Sequence, residues 1–179
     1  MEDKEILEKF AKEESRNLAF NQLVRKYQQK VYWHIRKMVI DHEDADDLTQ
    51  EVFIKVWKHL ENFRQDSQLY TWLYRIATNE CLNFLKSKKR KFFLPINDVA
   101  AELTAKIDQS DHISGDEIQL KLQKALLRLP DKQRLVFNMK YYDDLKYEEI
   151  SEILGTSVGA LKASYHLAVK KIEDYITKG

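Results

Sequence analysis

An all-α fold is predicted, on three observations. The 179 residues include only four glycines and two prolines, too few turn-formers for an all-β sandwich. Apolar residues recur at spacings of three and four along most of the chain, the period of a helix with one buried face. Hydrophobic residues make up 44% and charged ones 33%, a balance that can bury a core and is not that of a disordered chain. The length suits one ordinary domain or two small ones.

Each element has its own signal. A weak helix is expected over residues 3–14. Phe20, Leu23, Val24, Tyr27, Val31, Ile35, Met38 and Val39 then make one apolar face, predicting a helix from about 15 to 40. Asp41 to Asp44 read as a cap and acidic first turn. Ala45, Leu48, Val52, Val56 and Leu60 form the next stripe, widened by Phe53 and Trp57. A polar loop from Asn62 to Ser67 precedes a third stripe with Leu69, Leu73, Ile76, Ala77, Leu82 and Leu85. Later, Ile118, Leu122, Ala125, Leu126 and Leu129 make a stripe that Pro130 stops. A helix from Asp131 to about Tyr142 follows, and a short one from Tyr147 to Leu154. Gly155 suits a left-handed terminus, and Ser157 can cap a last helix from Val158 to about Ile176.

Composition excludes several chemistries. Four scattered glycines provide neither a phosphate loop nor a dinucleotide-binding loop. Cys81 is the only cysteine, so no intramolecular disulfide forms and a reducing, cytoplasmic setting is expected. No cofactor and no metal are expected: the five histidines are scattered, and His42 with Asp46 would give only two ligands. No catalytic constellation is visible. The N-terminus is charged from its second residue, unlike a signal peptide, and no apolar run approaches the ~20 residues of a membrane helix.

Charge divides the chain in three. Residues 1–96 hold 18 basic and 15 acidic groups, residues 97–117 one and six, and residues 118–179 11 and eight. The acidic stretch carries no long apolar stripe, which predicts a flexible linker over 95–117 between domains at 1–94 and 118–179.

Three segments suggest function. Residues 146–172 read as a helix-turn-helix around Gly155-Thr156-Ser157. Packing Ile150, Leu154, Val158 and Leu161 inward leaves Gly159, Ala160, Lys162, Ala163, His166 and Lys170 outward, small and basic enough to approach a DNA groove. An ordinary helical hairpin would show the same pattern. Residues 63–91 interleave Phe63, Tyr70, Trp72 and Tyr74 with Arg64 and Arg75, then run into Lys86, Lys88, Lys89, Arg90 and Lys91. Stacking rings beside phosphate-binding cations suit single-stranded nucleic acid; core aromatics and a solvated basic helix end are the plainer explanation. On residues 44–60, Asp44, Asp47, Gln50, Glu51, Lys55 and Lys58 share the outer face. That face is either simply solvated or a dock for a basic protein surface.

Taken in order, AFNQLVRKYQQKVY, DADDLTQEVFIKVW, FRQDSQLYTWLYRIATN, LPDKQRLVF and the helix-turn-helix resemble the extracytoplasmic-function (ECF) group of bacterial sigma factors. The resemblance spans about residues 15 to 175. It implies region 2 at 1–94, region 4 at 118–179 and a non-catalytic transcription initiation factor. Its implied partners are the clamp and flap of the RNA polymerase core, promoter DNA and an anti-sigma factor, often at the membrane. By resemblance, Asp44, Asp47, Gln50 and Glu51, with Lys55 beside them, dock on the clamp. Phe63 and Asn79 line the pocket for a flipped minus-ten base, and Arg64, Gln65, Asp66 and Ser67 form the loop beside it. Tyr70, Trp72, Arg75, Lys88, Lys89 and Arg90 extend that DNA surface. Lys140 and Tyr147 contact the DNA backbone near the minus-thirty-five element. Gly159, Lys162, Ala163, Ser164, His166 and Lys170 read that element. Many relatives carry several arginines in this helix, whereas here it reads LKASYHLAVKK, so bidentate guanine contacts give way to apolar approach and groove shape.

The alternatives are a stand-alone helix-turn-helix regulator, which would bind duplex DNA without polymerase, and a helical protein-interaction module, which would not affect transcription.

Overall fold

The computed structural model describes residues 1–91 and 117–178, and for residues 89–91 the backbone only. The expected linker therefore falls almost wholly outside the described residues. Helices account for nearly all of the described chain, and no strand occurs among the described residues. None of these helices is long and apolar enough to cross a membrane.

The N-terminal bundle consists of α1 (Asp3–Phe10), α2 (Arg16–Val39), α3 (His42–His59) and α4 (Leu69–Lys91). The expected helix over 3–14 is cut short; a 3-10 turn, Glu13–Ser15, redirects the chain into α2. The predicted stripes are largely buried: Leu23, Val31, Ile35 and Met38 on α2, Ala45, Val52 and Val56 on α3, and Leu69, Leu73, Ala77 and Leu85 on α4, where Ile76 and Leu82 are half-buried and Cys81, outside the predicted stripe, is buried as well. Asp41 caps α3 as expected, its carboxylate accepting the Asp44 N–H at 3.1 Å. The terminus of α2 is unusual. Ile40 has φ 69° and ψ −45°, and the Asp41 N–H donates to the Val39 carbonyl at 2.8 Å. This is a γ-turn of the rare, strained hand, occupied by a β-branched residue. Arg36 holds it by donating Nε–H to the Ile40 carbonyl at 2.6 Å.

The C-terminal bundle consists of α5 (Glu117–Leu126), α6 (Asp131–Tyr141), α7 (Tyr147–Leu154) and α8 (Val158–Lys178). Ala125, Leu126, Leu129, Phe137, Ala168 and Ile172 make a small core of its own. Ile118, expected in the stripe, is 68% exposed, because it lies in the first turn of α5, short of that core. Gly155 ends α7 at φ 67°, and the Ser157 hydroxyl accepts the Ala160 N–H at 3.3 Å. The helix-turn-helix forms as predicted.

The two bundles pack against each other. Helix α6 lies against α2, and α7 against α4. Leu135, Val136, Met139, Leu145, Ile150, Ile153 and Leu161 join the N-terminal core in one apolar cluster. Helix α6 is buried from Arg134 through Met139, leaving no solvent face over that stretch.

A Cβ at Gly155 meets nothing within 4 Å, so only its backbone conformation favours glycine there. Gly155→Ala should destabilise by about 1–2 kcal/mol, and Gly155→Asn by less. Urea unfolding measures both; an alanine variant as stable as wild type would contradict this account of the turn.

Candidate functional site

On α3, Asp47, Gln50 and Glu51 are exposed and Asp44 is half-buried at the first turn. Gln50 leans toward Asp46, its Nε2 donating at 3.4 Å, the long end of hydrogen bonding. Lys55 instead pairs with Glu80 on α4, binding two helices of the bundle together. Beside the acidic face lies a groove between α2 and α3, with Phe20, Val24, Phe53, Ile54 and Trp57 among its walls. Ile54 is 54% exposed and Trp57 38%. The sequence placed Trp57 in a buried stripe, and Ile54 belonged to no stripe, so this apolar strip beside the acids was not foreseen. Its signal was present: a large apolar residue outside the helical stripe.

The expected minus-ten residues separate into two groups. Phe63 and Trp72 pack together, ring centres 5.1 Å apart, beyond the loop in which Gln65 takes φ 59°. Arg64, Gln65 and Asp66 are exposed and Ser67 is half-buried. Asn79 is exposed on α4, seven residues after Trp72 and therefore on the same side of the helix. Phe63, Trp72 and Asn79 thus share one face. Tyr70 belongs elsewhere. It packs edge-on to the buried Tyr74, and both line a cleft with Lys26, Lys30, Tyr142 and Asp143 at the junction of the bundles. Burial pushes the Tyr74 hydroxyl's pKa well up, with the Asp143 charge adding to it. Arg75 also faces the C-terminal bundle, donating Nε–H and Nη2–H to the Glu152 carbonyl at 3.1 and 2.7 Å. Lys88 is half-buried; the side chains of Lys89 and Arg90 lie outside the described residues.

The third group is the clearest. Gly159, Lys162, Ala163, His166 and Lys170 are exposed along α8, Ser164 is half-buried, and Leu161, Ala168 and Ile172 are buried opposite them. Tyr147 lies between two cations. Lys140 Nζ is 4.7 Å from its ring centre and Lys162 Nζ 5.8 Å. Lys140 also donates to the Leu145 carbonyl at 3.3 Å. The ring's negative face orients both ammonium groups. Three residues from α6, α7 and α8 thereby form one basic edge beside the exposed helix face. No cluster able to hold a metal ion occurs among the described residues.

Comparison with known proteins fits this geometry. Residues 23–91 match the model of Sigma-70 region 2, and residues 119–172 that of Sigma-70 region 4. The RNA polymerase sigma-H factor of Pseudomonas aeruginosa is 33% identical, with 96% of this chain and 92% of that protein covered. The chain belongs to the ECF group of the sigma-70 family. Another relative is the ECF sigma factor SigW of Bacillus subtilis, 33% identical, with 83% of each chain covered. Among solved structures, the sigma factor RpoE of Bartonella quintana, in complex with the anti-sigma factor NepR, has a TM-score of 0.68 at 20% identity, covering 88% of this chain and 96% of that one. CnrH in complex with the cytosolic domain of CnrY has a TM-score of 0.67 at 22% identity, covering 90% of each. As an ECF sigma factor, the protein is a transcription initiation factor: it binds RNA polymerase core, directs it to promoters and promotes DNA melting. This sets aside the stand-alone regulator.

The half-exposed Lys55 in its pair with Glu80 should contribute little to stability. Lys55→Ala should cost under about 1 kcal/mol. A double-mutant cycle with Glu80→Ala, read by urea unfolding, measures the coupling, and a value of several kcal/mol would contradict it.

Proposed function

We propose that this sigma factor divides its work among three surfaces, with residues 1–94 acting as region 2, residues 95–117 as the connection and residues 118–179 as region 4. The acidic face of α3, with Asp44, Asp47, Gln50 and Glu51, docks on the polymerase clamp, and the neighbouring Ile54–Trp57 strip contributes apolar area. Phe63, Trp72 and Asn79 hold an unstacked base of the minus-ten element. Extracting that base costs a few kcal/mol, and an aromatic platform with an amide beside it recovers part of that cost outside the duplex. Helix α8 enters the major groove at the minus-thirty-five element, with Lys140, Tyr147 and Lys162 at its basic edge on the DNA backbone. The factor has no reaction of its own and works in the cytoplasm, where its polymerase is.

The observation that carries this reading is the sidedness of α8. Gly159, Ala160, Lys162, Ala163, His166 and Lys170 are on the open side, together with the exposed Leu167, while Leu161, Ala168 and Ile172 are packed. A helix that served only as a hairpin arm would have no reason to cluster glycine, alanine and lysine there. An anti-sigma factor is the regulatory partner we propose, since the sigma factor RpoE was solved in complex with the anti-sigma factor NepR. We place that partner at the membrane, as the resemblance to the ECF group implies.

Two predictions test the division. Reversing charge at Asp47 and Glu51 together should weaken binding to core polymerase by a few kcal/mol while helicity is retained; wild-type affinity in that variant would remove this face from the dock. Ala163→Glu places an acid against the groove floor. It should abolish use of the minus-thirty-five element in run-off transcription and leave core affinity intact, whereas Lys170→Ala should weaken all promoter variants about equally. Normal transcription by Ala163→Glu from a promoter dependent on that element would place the helix elsewhere.

A further inference from the structure

Helix α8 carries one large apolar side chain on its open face. Leu167 is 47% exposed and belongs to neither apolar cluster of the molecule. Every other exposed residue of α8 is small, polar or charged. Leu161, Ala168 and Ile172 carry the packing of the helix. A single exposed leucine needs no explanation by itself; the surroundings of this one give it a role.

Gly159, Ala163, Leu167 and Lys171 follow one another at intervals of four, so they form one ridge along the helix. All four are exposed. Successive members are about 6 Å apart along the axis. Their side chains lengthen from a hydrogen atom to a methyl, an isobutyl and an aminobutyl group. A recognition helix enters the major groove by its N-terminal end. It meets the bases there with bare backbone and needs longer side chains as it rises away from them. Lys171, at the far end, is drawn back to α6, donating Nζ–H to Gln133 Oε1 at 3.1 Å. Beyond it, the exposed Glu173 and Asp174 are repelled by phosphate and end the stretch that can face DNA. Leu167 is thus the last uncharged member of the ridge, flanked by the exposed His166 and Lys170.

We propose that Leu167 is a specificity-determining residue for the upstream promoter element, packing its isobutyl group against the C5 methyl of one thymine. The inference deepens the functional reading above and rests on it in one respect, that α8 enters the major groove. The thymine methyl is the only apolar feature that a base pair presents there. Cytosine in the same place bears no methyl. It presents an N4 amino donor, which leucine would strip of water and leave unpaired. Leucine therefore selects thymine by apolar contact, where an arginine would select guanine by paired hydrogen bonds.

Removing a single methyl group from the DNA tests this contact. At a promoter that depends on the upstream element, each thymine of that element, on either strand, is replaced in turn by deoxyuridine. Run-off transcription is then measured at limiting holoenzyme. Wild type should lose roughly fourfold at one position, the factor for burying one methyl-sized group. Leu167→Ala should lose at least as much on the unmodified promoter. It should no longer distinguish thymine from uracil at that position, while keeping its helicity and its affinity for core. A wild type indifferent to deoxyuridine at every position would overturn the proposal, as would a Leu167→Ala variant that keeps the wild-type pattern. An equal loss relative to wild type on every template, or a loss of core affinity, would assign Leu167 to phosphate or to a protein contact and overturn it as well. Ala163→Glu on the unmodified promoter separates the two claims. If that variant still uses the element, α8 is not in the groove and the functional reading fails. If it does not, and the deoxyuridine pattern is missing, the assignment of Leu167 fails alone.

Discussion

Helix α6 has no side turned to water between Arg134 and Met139, and the rest of the molecule is arranged to cover it. Phe137 is taken by α5 and α8 in the small C-terminal core. Leu135, Val136 and Met139 are taken by the N-terminal bundle. The four-helix C-terminal unit is too small to enclose α6 alone, so α2 and α4 finish the enclosure. The cover comes with Arg134 and Asn138 included. Burying a guanidinium with an unpaired Nε costs several kcal/mol before compensation, and apolar side chains of the same size commonly fill such positions at no loss of stability. Burial presses the Arg134 pKa down, opposed by the nearby Asp131 carboxylate. Arg134 and Asn138 instead tie α6 to the end of α2, through the Met38 carbonyl and sulfur.

The same junction explains the electrostatics around Asp143. Burial works to raise its pKa, but the neighbouring His34 and Lys37 outweigh that and hold the carboxyl below its usual range. A lowered carboxylate contributes stability that is present above its ordinary pKa and is lost as pH falls through the lowered one. Across the neutral range Asp143 is therefore charged and available to Lys37. The surfaces proposed to meet polymerase and the minus-thirty-five DNA lie away from this contact. The acid face of α3 and the outer face of α8 are open to solvent with the bundles packed together.

Much of the fold was legible because α2, α3, α4 and α8 each bury one regular stripe, and period alone reveals such a stripe. The turn at Gly155 and the cap at Asp41 were legible because their chemistry is local. Helix α6 was legible as a helix but not as a buried one: a charged and amide-bearing segment reads as half-exposed, and only the second bundle changes that. Tyr70 and Arg75 were grouped with Phe63 and Trp72 because they are neighbours in sequence. One helix turns successive residues by about 100°, and that rotation sends Tyr70 and Arg75 toward the C-terminal bundle. The groove beside Ile54 and Trp57 depends on how α2 crosses α3, which no single stripe encodes. The pairing of Lys140, Tyr147 and Lys162 likewise draws on three helices at once.

The central claim is that the two bundles read two separate DNA elements for one polymerase. The direct measurement is transcription by purified core polymerase with this protein on fragmented genomic DNA, with start sites mapped. The account predicts discrete start sites that appear only when the protein is present, preceded by two shared sequence elements at a fixed spacing, the upstream one rich in thymine where α8 offers Ala163 and Ser164. Start sites that share only one element, or none beyond those of core alone, would contradict it.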